Sequence, residues 1–170
     1  MRKTLIVIDM QNDFIDGSLG TKEAQAIVSN VKKKIEEYDA RGDEIIFTRD
    51  THQSDYLETN EGKHLPVEHC IEGTHGWQIS NEVISMNPYP IVDKPTFGNL
   101  NWKTFFEFDD IEIVGLCTDI CVVSNALILK AIYPESNITV DASCCAGVTP
   151  ESHQAALTTM KMCQINVIGE

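Results

Sequence analysis

Apolar positions along this chain recur with two different periods, and the alternation between them predicts the fold. Residues 4–8 form a β-branched-rich run, as expected of a parallel strand buried on both faces. A polar, Gly-containing loop follows to about Thr21. From Glu23 onward, Ile27, Val31, Ile35 and Tyr38 recur every three to four residues, with Lys32, Lys33, Lys34, Glu36 and Glu37 between them. That spacing predicts an amphipathic helix, stopped by Gly42. Residues 44–48 read as a second strand, 91–92 as a short third and 111–116 as a fourth. Residues 120–132 read as a helix that is apolar on most faces and therefore deeply packed. Residues 138–140 give a fifth strand. Thr149-Pro150-Glu151-Ser152 starts a helix, with Thr as N-cap and Pro at the first position, running to about Met162. Residues 165–168 give the last strand. The polar stretch 49–76 has no periodicity, and a connection of that length is either functional or made of short irregular helices.

Strands alternating with helices imply βαβ units and right-handed crossovers. The expected architecture is α/β: a three-layer, Rossmann-like single domain over residues 1–170, with a mostly parallel central sheet and helices on both faces. Composition changes this picture little. Of 170 residues, 42% are apolar and 23% charged, ordinary values for a globular protein. The net charge of −13 repels phosphate backbones and anionic headgroups, so nucleic acid and membrane surfaces are not expected partners. No apolar run reaches spanning length. The apolar stretch 5–8 is ended by Asp9 and is too short for a signal peptide, which points to a cytoplasmic protein. In that setting most of the six cysteines read as buried reduced thiols.

In open parallel sheets, ligands bind beyond the carboxyl ends of the strands, so the residues just past each strand carry the functional signal. Asp9 follows the first strand, Asp50 and His52 the second, Asp93 and Lys94 the third, and Cys117, Thr118, Asp119 and Cys121 the fourth. Singly, each has a structural explanation; together they converge on one rim. Cys121 at a helix start has exposed amides and a positive dipole end beside it, which favour a thiolate. A cation such as Lys94 favours it further, and a carboxylate such as Asp9 can take the thiol proton. Amides of the strand-to-helix turn can stabilise an oxyanion. That set suits attack on an amide carbonyl. Asp50, His52 and the later His69 offer a carboxylate and two imidazoles, a donor set suited to zinc, iron or manganese, though Asp-x-His alone is a weak signal.

Three segments carry a family resemblance: Ile-Val-Ile-Asp9-Met-Gln-Asn-Asp13-Phe14, then Val92-Asp93-Lys94-Pro95-Thr96-Phe97-Gly98, then Gly115-Leu116-Cys117-Thr118-Asp119-Ile120-Cys121-Val122. In order and spacing they resemble the motifs of the isochorismatase-like hydrolases, which include the nicotinamidases. The resemblance implies a catalytic triad of Asp9, Lys94 and Cys121. It also implies a cis peptide at Leu116-Cys117 and an oxyanion hole formed by the amides of Cys117 and Cys121. Cys117 itself departs from the alanine or valine more usual near that place, and it puts a second thiol beside the site. A redox role for the pair stands as an alternative, although three intervening residues is not the thioredoxin-like spacing.

Phe14 matches a pocket aromatic. The resemblance further implies a divalent metal, zinc before iron or manganese, on Asp50, His52 and His69. Glu61 is the candidate fourth ligand, with Glu58 and His64 behind it. The expected aromatic before the metal histidine is absent, with Leu65-Pro66 in its place. His75 and Trp77 either line the pocket or pack the loop, and His153 is expected to be structural. The implied substrate is a small-molecule amide, foremost nicotinamide, hydrolysed to nicotinate and ammonia through a thioester. Other amides, ureido acids or N-carbamoyl compounds are the near alternatives, and a catalytically silent binding module the distant one. Isochorismate is disfavoured because Arg2, Arg41 and Arg49 are not placed to bind its carboxylates. The resemblance also makes a homo-oligomer an expectation.

Overall fold

The structure is a computed structural model that describes residues 3–84, 88–104 and 109–170. Six parallel strands form one sheet in the order β3-β2-β1-β4-β5-β6. They are β1 (Lys3–Ile8), β2 (Glu44–Asp50), β3 (Ile91–Lys94), β4 (Asp110–Leu116), β5 (Asn137–Ala146) and β6 (Asn166–Ile168). The helices are α1 (Asn12–Ile15), α2 (Lys22–Arg41), α3 (Asn60–His64), α4 (Val123–Ile132) and α5 (Pro150–Met162).

The period-two alternation of a strand divides the core into two. Leu5 and Val7 of β1 pack with Ile27, Val31 and Ile35 of α2 on one face. Ile6 and Ile8 pack with Ala126 and Leu129 of α4 and with Leu157 and Met160 of α5 on the other. β1 lies between β2 and β4, and every residue from Thr4 to Ile8 is buried. The expected three-layer α/β architecture is therefore the one observed. The end signals also act as expected. The Thr21 hydroxyl accepts from the Ala24 amide, and Gly42 ends α2 at φ 70°. Thr149 and Ser152 cap α5 reciprocally, with Pro150 in its first turn.

Four boundaries differ from expectation, the three strand ends because tertiary pairing outweighs local propensity. β5 runs to Ala146, well beyond residues 138–140, because its Ala-Ser-Cys-Cys-Ala end pairs with the end of β4 after a register shift. Gly115, at φ 119°, permits the close approach of β4 to β1: a Cβ would lie 2.1 Å from the Ile8 carbonyl oxygen. β2 and β3 extend to Asp50 and Lys94, so these two residues are the last of their strands rather than the first beyond them. The helix expected from residue 120 begins as a π-helical turn, Thr118–Val122, which leads into α4. The stretch 51–76 holds a 3-10 turn (Tyr56–Glu58), α3, and a parallel bridge between His52 and Ile71.

Candidate active site

β3 is short, but its alternation decides the chemistry. Ile91 and Asp93 face outward, while Val92 and Lys94 face inward. Asp93 pairs with Arg49 outside (2.6 and 2.9 Å). Lys94, only 1% exposed, donates from Nζ to Asp9 Oδ2 at 2.5 Å and to the Thr96 carbonyl at 3.3 Å. Asp9 ends β1 in the left-handed region at φ 46°. That conformation costs a non-glycine residue about 1–3 kcal/mol, and the surrounding bonds hold it in place. The Thr48 hydroxyl donates to Asp9 Oδ1 at 2.6 Å and accepts from the Asp9 amide at 3.2 Å. Asp9 and Lys94 both act electrostatically on the buried Cys121 thiol. The structure thus brings Asp9, Lys94 and Cys121 together as expected from the sequence.

Cys121, Cys117, Leu116, Ile120 and Phe14 help to line a cavity of ≈ 340 Å³. Asp9 and Lys94 are fully buried and are not part of its lining. The Leu116-Cys117 peptide is cis, as expected. The Cys117 carbonyl accepts from the amides of Ile120 and Val122, at 3.1 and 3.0 Å, and skips that of Cys121 between them. The π turn therefore places Cys121 among amides that the helix ladder does not fully use. His153 anchors this turn through Nδ1 to the Thr118 hydroxyl at 2.7 Å, the structural role expected of it.

The electrostatics correct one expectation. A helix start and a nearby lysine were expected to favour the thiolate. Instead, burial and the Asp9 carboxylate push the Cys121 thiol well above its ordinary value, and Lys94 opposes them only in part. The resting sulfur keeps its proton. Burial also raises Asp9, against the pull of Lys94, which makes it a stronger base than an exposed aspartate. The lysine itself remains an ammonium: burial opposes its charge most strongly of any single effect, but Asp9, Cys121 and Asp50 together outweigh it. Cys117 is likewise pushed up to about 12, mainly by burial, so neither thiol of the redox alternative is an activated thiolate.

Beside the triad, Asp50, His52, Glu61 and His69 bring one donor atom each within 4.8 Å of one another. Asp50 Oδ2 is 3.0 Å from His52 Nε2 and 3.5 Å from His69 Nε2. Glu61 Oε1 is 3.5 and 3.8 Å from the same two nitrogens. Asp50 Oδ1 is buried without a hydrogen-bond partner, which a cation would relieve. His69 Nδ1 donates to the Val67 carbonyl at 2.8 Å, turning the lone pair of Nε2 toward the group, as second-shell bonds do at metal sites. Burial pulls His52 down, but Asp50 and Glu61 outweigh it and push its pKa up to about 9. Two imidazoles and two carboxylates thus form a set that fits a divalent metal. Glu58 is exposed and His64 lies outside the group. Phe14 lines the cavity with its ring 5.5 Å from that of His69, and it also belongs to the core. Trp77 packs the loop, its ring under Arg49 and its Nε1 donating to Thr51. His75 contributes its carbonyl to Asn12.

Several positioning residues escape the sequence reading. Gln11, fully buried, donates to the carbonyls of Asp50 and Trp77 (2.8 Å each) and accepts from the Asp50 amide (2.7 Å). It fixes the backbone that carries a metal-group carboxylate. Tyr56 packs against both imidazoles, 4.7 and 4.9 Å between ring centres. Asn125 joins the loop after Lys94 to the nucleophile turn, donating to Phe97 and Cys121 carbonyls and accepting from the Asn99 amide. The one available signal was an uncharged polar residue in an otherwise apolar run, visible for Asn125 within α4.

The fold and site together define an α/β protein with a buried thiol, carboxylate and ammonium beside a metal-competent group at the carboxyl ends of its strands. The Isochorismatase domain matches residues 3–169, and the chain belongs to that family. It is 24% identical to the nicotinamidase of Saccharomyces cerevisiae, with 99% of this chain and 100% of that protein covered. An Arabidopsis thaliana protein named "probable inactive nicotinamidase" is 30% identical over 92% of this chain and 87% of its own. Among solved structures, the zinc complex of Pyrococcus horikoshii pyrazinamidase superposes with a TM-score of 0.85 at 25% identity, both chains covered completely. Among the described residues no helix is long and apolar enough to cross a membrane.

Proposed function

We propose that this protein is a cysteine amidohydrolase that converts nicotinamide to nicotinate and ammonia. The observation that carries the reading is the Lys94–Asp9 pair acting on the buried Cys121 thiol at a cavity that also exposes members of the metal-competent group, Asp50, Glu61 and His69. Names borne by relatives, a nicotinamidase and a zinc-bound pyrazinamidase, support the substrate class.

In this mechanism the carboxamide enters over Cys121. Asp9 takes the thiol proton as sulfur attacks the amide carbon, so no free thiolate precedes substrate. The tetrahedral oxyanion accepts hydrogen bonds from the amides of Cys117 and Cys121. Asp9 passes its proton to the departing nitrogen, and ammonia leaves a thioester on Cys121. Water then attacks the thioester, with Asp9 accepting its proton and returning it to sulfur as nicotinate departs. Lys94 keeps the carboxylate oriented and balances its charge throughout. Asp50, His52, His69 and Glu61 would hold the metal, with zinc as the proposed ion. Bound there, it supplies a Lewis acid for anchoring a ring nitrogen and polarising water. On this reading the enzyme serves NAD salvage in the cytoplasm.

Ureido and N-carbamoyl acids are the second reading, and they are disfavoured by a cavity whose lining, among the described residues, contains no arginine or lysine. The test is ammonia release from nicotinamide by the purified protein, beside Cys121→Ala, with metal content measured on the same sample. Turnover lost in the variant, with about one metal per chain, is the expected outcome. A folded, metal-loaded protein that leaves nicotinamide intact would overturn the substrate, and turnover by the variant would overturn the mechanism.

A further inference from the structure

The space above Cys121 continues into a second groove of ≈ 300 Å³, lined by Asn60, Glu61, His64, Thr96 and Phe97. Glu61, His64 and Phe97 line both spaces and so form the threshold between them. We propose that this groove is a second subsite, which takes an amino or ammonium substituent on the ring of an aromatic carboxamide whose amide end lies over Cys121. The inference rests on the carboxamide reading of the main cavity and deepens it.

The side chains of the groove offer acceptors. His64 Nδ1 is 2.8 Å from the Asn60 carbonyl. A carbonyl only accepts, so Nδ1 carries a hydrogen, and Nε2 is the ring atom left to a ligand. Glu61 turns Oε1 toward His52 and His69 and lines both spaces. The Thr96 hydroxyl donates its hydrogen to the Gly98 carbonyl at 2.7 Å, and its oxygen can still accept. Phe97 is 43% exposed and adds an aromatic face, which attracts cations and flat rings. Among the described residues, no lysine or arginine lines the groove. Such a surface binds N–H donors and repels carboxylates and phosphates. It also gives His64 a role that the metal group does not: His64 stands three residues after Glu61, outside that group.

The test uses the full-length, metal-loaded protein with Cys121→Ser, so that binding is read without turnover. Calorimetry compares nicotinamide with its ring-aminated and aminomethylated isomers and with the matched carboxylated ones. At least one amino isomer is expected to bind about three- to tenfold more tightly than nicotinamide, the effect of one or two added hydrogen bonds. Its carboxylated counterpart is expected to bind more weakly than nicotinamide. His64→Ala and Phe97→Ala, each added to Cys121→Ser, are expected to bring the amino-to-parent ratio toward one. Both are exposed positions, and circular dichroism checks that the variants are folded. Nicotinamide binding with no amino isomer favoured, or a preference that survives both substitutions, overturns the subsite alone. Failure of nicotinamide itself to bind overturns the carboxamide reading and the subsite with it.

Discussion

Thr48→Val removes one hydroxyl while keeping the shape of the side chain, and it tests whether Asp9 is held as the structure describes. Thr48 makes two bonds to Asp9, donating to Oδ1 at 2.6 Å and accepting from the amide at 3.2 Å. Both residues are fully buried, so no water replaces the lost partner. A hydrogen bond to a charged group contributes about 1.5–3 kcal/mol, and a stranded buried donor costs about 1–3 kcal/mol. The loss is expected near 3 kcal/mol, or a fall in Tm of about 6–12 °C for a chain of this size. Asp9 would also be free to turn away from sulfur, and a misplacement of about 1 Å can cost 100-fold in rate. Because the Thr48 bond lowers the Asp9 pKa, its removal raises it further. The base must be deprotonated to act, so the acid limb of kcat/KM is expected to move to higher pH. Urea unfolding and ammonia release over pH measure the three effects, and Thr48→Ser, which keeps the hydroxyl, should recover most of each. A Val variant within about 0.5 kcal/mol of the parent, with its pH profile unmoved, would refute this account of Asp9.

Lys94→Met should abolish turnover and destabilise the protein by about 3–5 kcal/mol at neutral pH, since it leaves a buried carboxylate without its cation. Asp9 then rises further, so the variant's deficit relative to the parent should shrink as pH falls and the carboxyl protonates; a pH-independent deficit in urea titrations would contradict this. Gln11→Leu strands the backbone groups of Asp50 and should cost about 2–4 kcal/mol, with loss of metal measured by elemental analysis. Chelation should lower Tm, and added zinc should restore it, with about 4 kcal/mol of stabilisation at a thousandfold excess over Kd. Away from the site, Lys34 bridges Glu112 and Asp141 at 2.7 and 2.8 Å. Burial raises Asp141, but bonds from Lys34 and Ser143 outweigh it and hold the carboxyl below its ordinary value. Its contribution is therefore present above the unfolded pKa of about 3.9 and lost as pH falls through the lower folded value. Lys34→Met should destabilise the protein from pH 6 to 8 and progressively less in acid.

The elements legible in sequence were those whose local pattern agrees with their tertiary setting. β1, α2 and α5 announce themselves through β-branched runs, a 3.6-residue period and caps, and their observed ends fall within a few residues of those signals. β5 did not, because its last six residues include two alanines, a serine and two cysteines, and only pairing with β4 makes them a strand. Motif order brought Asp9, Lys94 and Cys121 to one rim correctly. It could not show that Lys94 points inward, which depends on the phase of a four-residue edge strand. Gln11 and Thr48 were illegible for a similar reason. Each acts by bonding a residue about 39 positions away in the chain, a relation that no local pattern carries.

The thiol's protonation at rest changes how the triad must operate. A thiolate stored beside Lys94 would be permanently reactive toward any electrophile reaching the cavity. Here burial and the Asp9 carboxylate raise Cys121, and burial raises Asp9 against the pull of Lys94. On the proposed mechanism the proton therefore passes to Asp9 only as sulfur attacks. On that mechanism a carboxamide above the sulfur assists the transfer, because charge developing on its oxygen would be received by amides of the π turn. The buried ammonium of Lys94 balances the negative charge as it passes from Asp9 toward sulfur during the transfer. Reactivity therefore belongs to the complex with substrate rather than to the free thiol, and selectivity is exercised by the walls of the cavity before any bond is made.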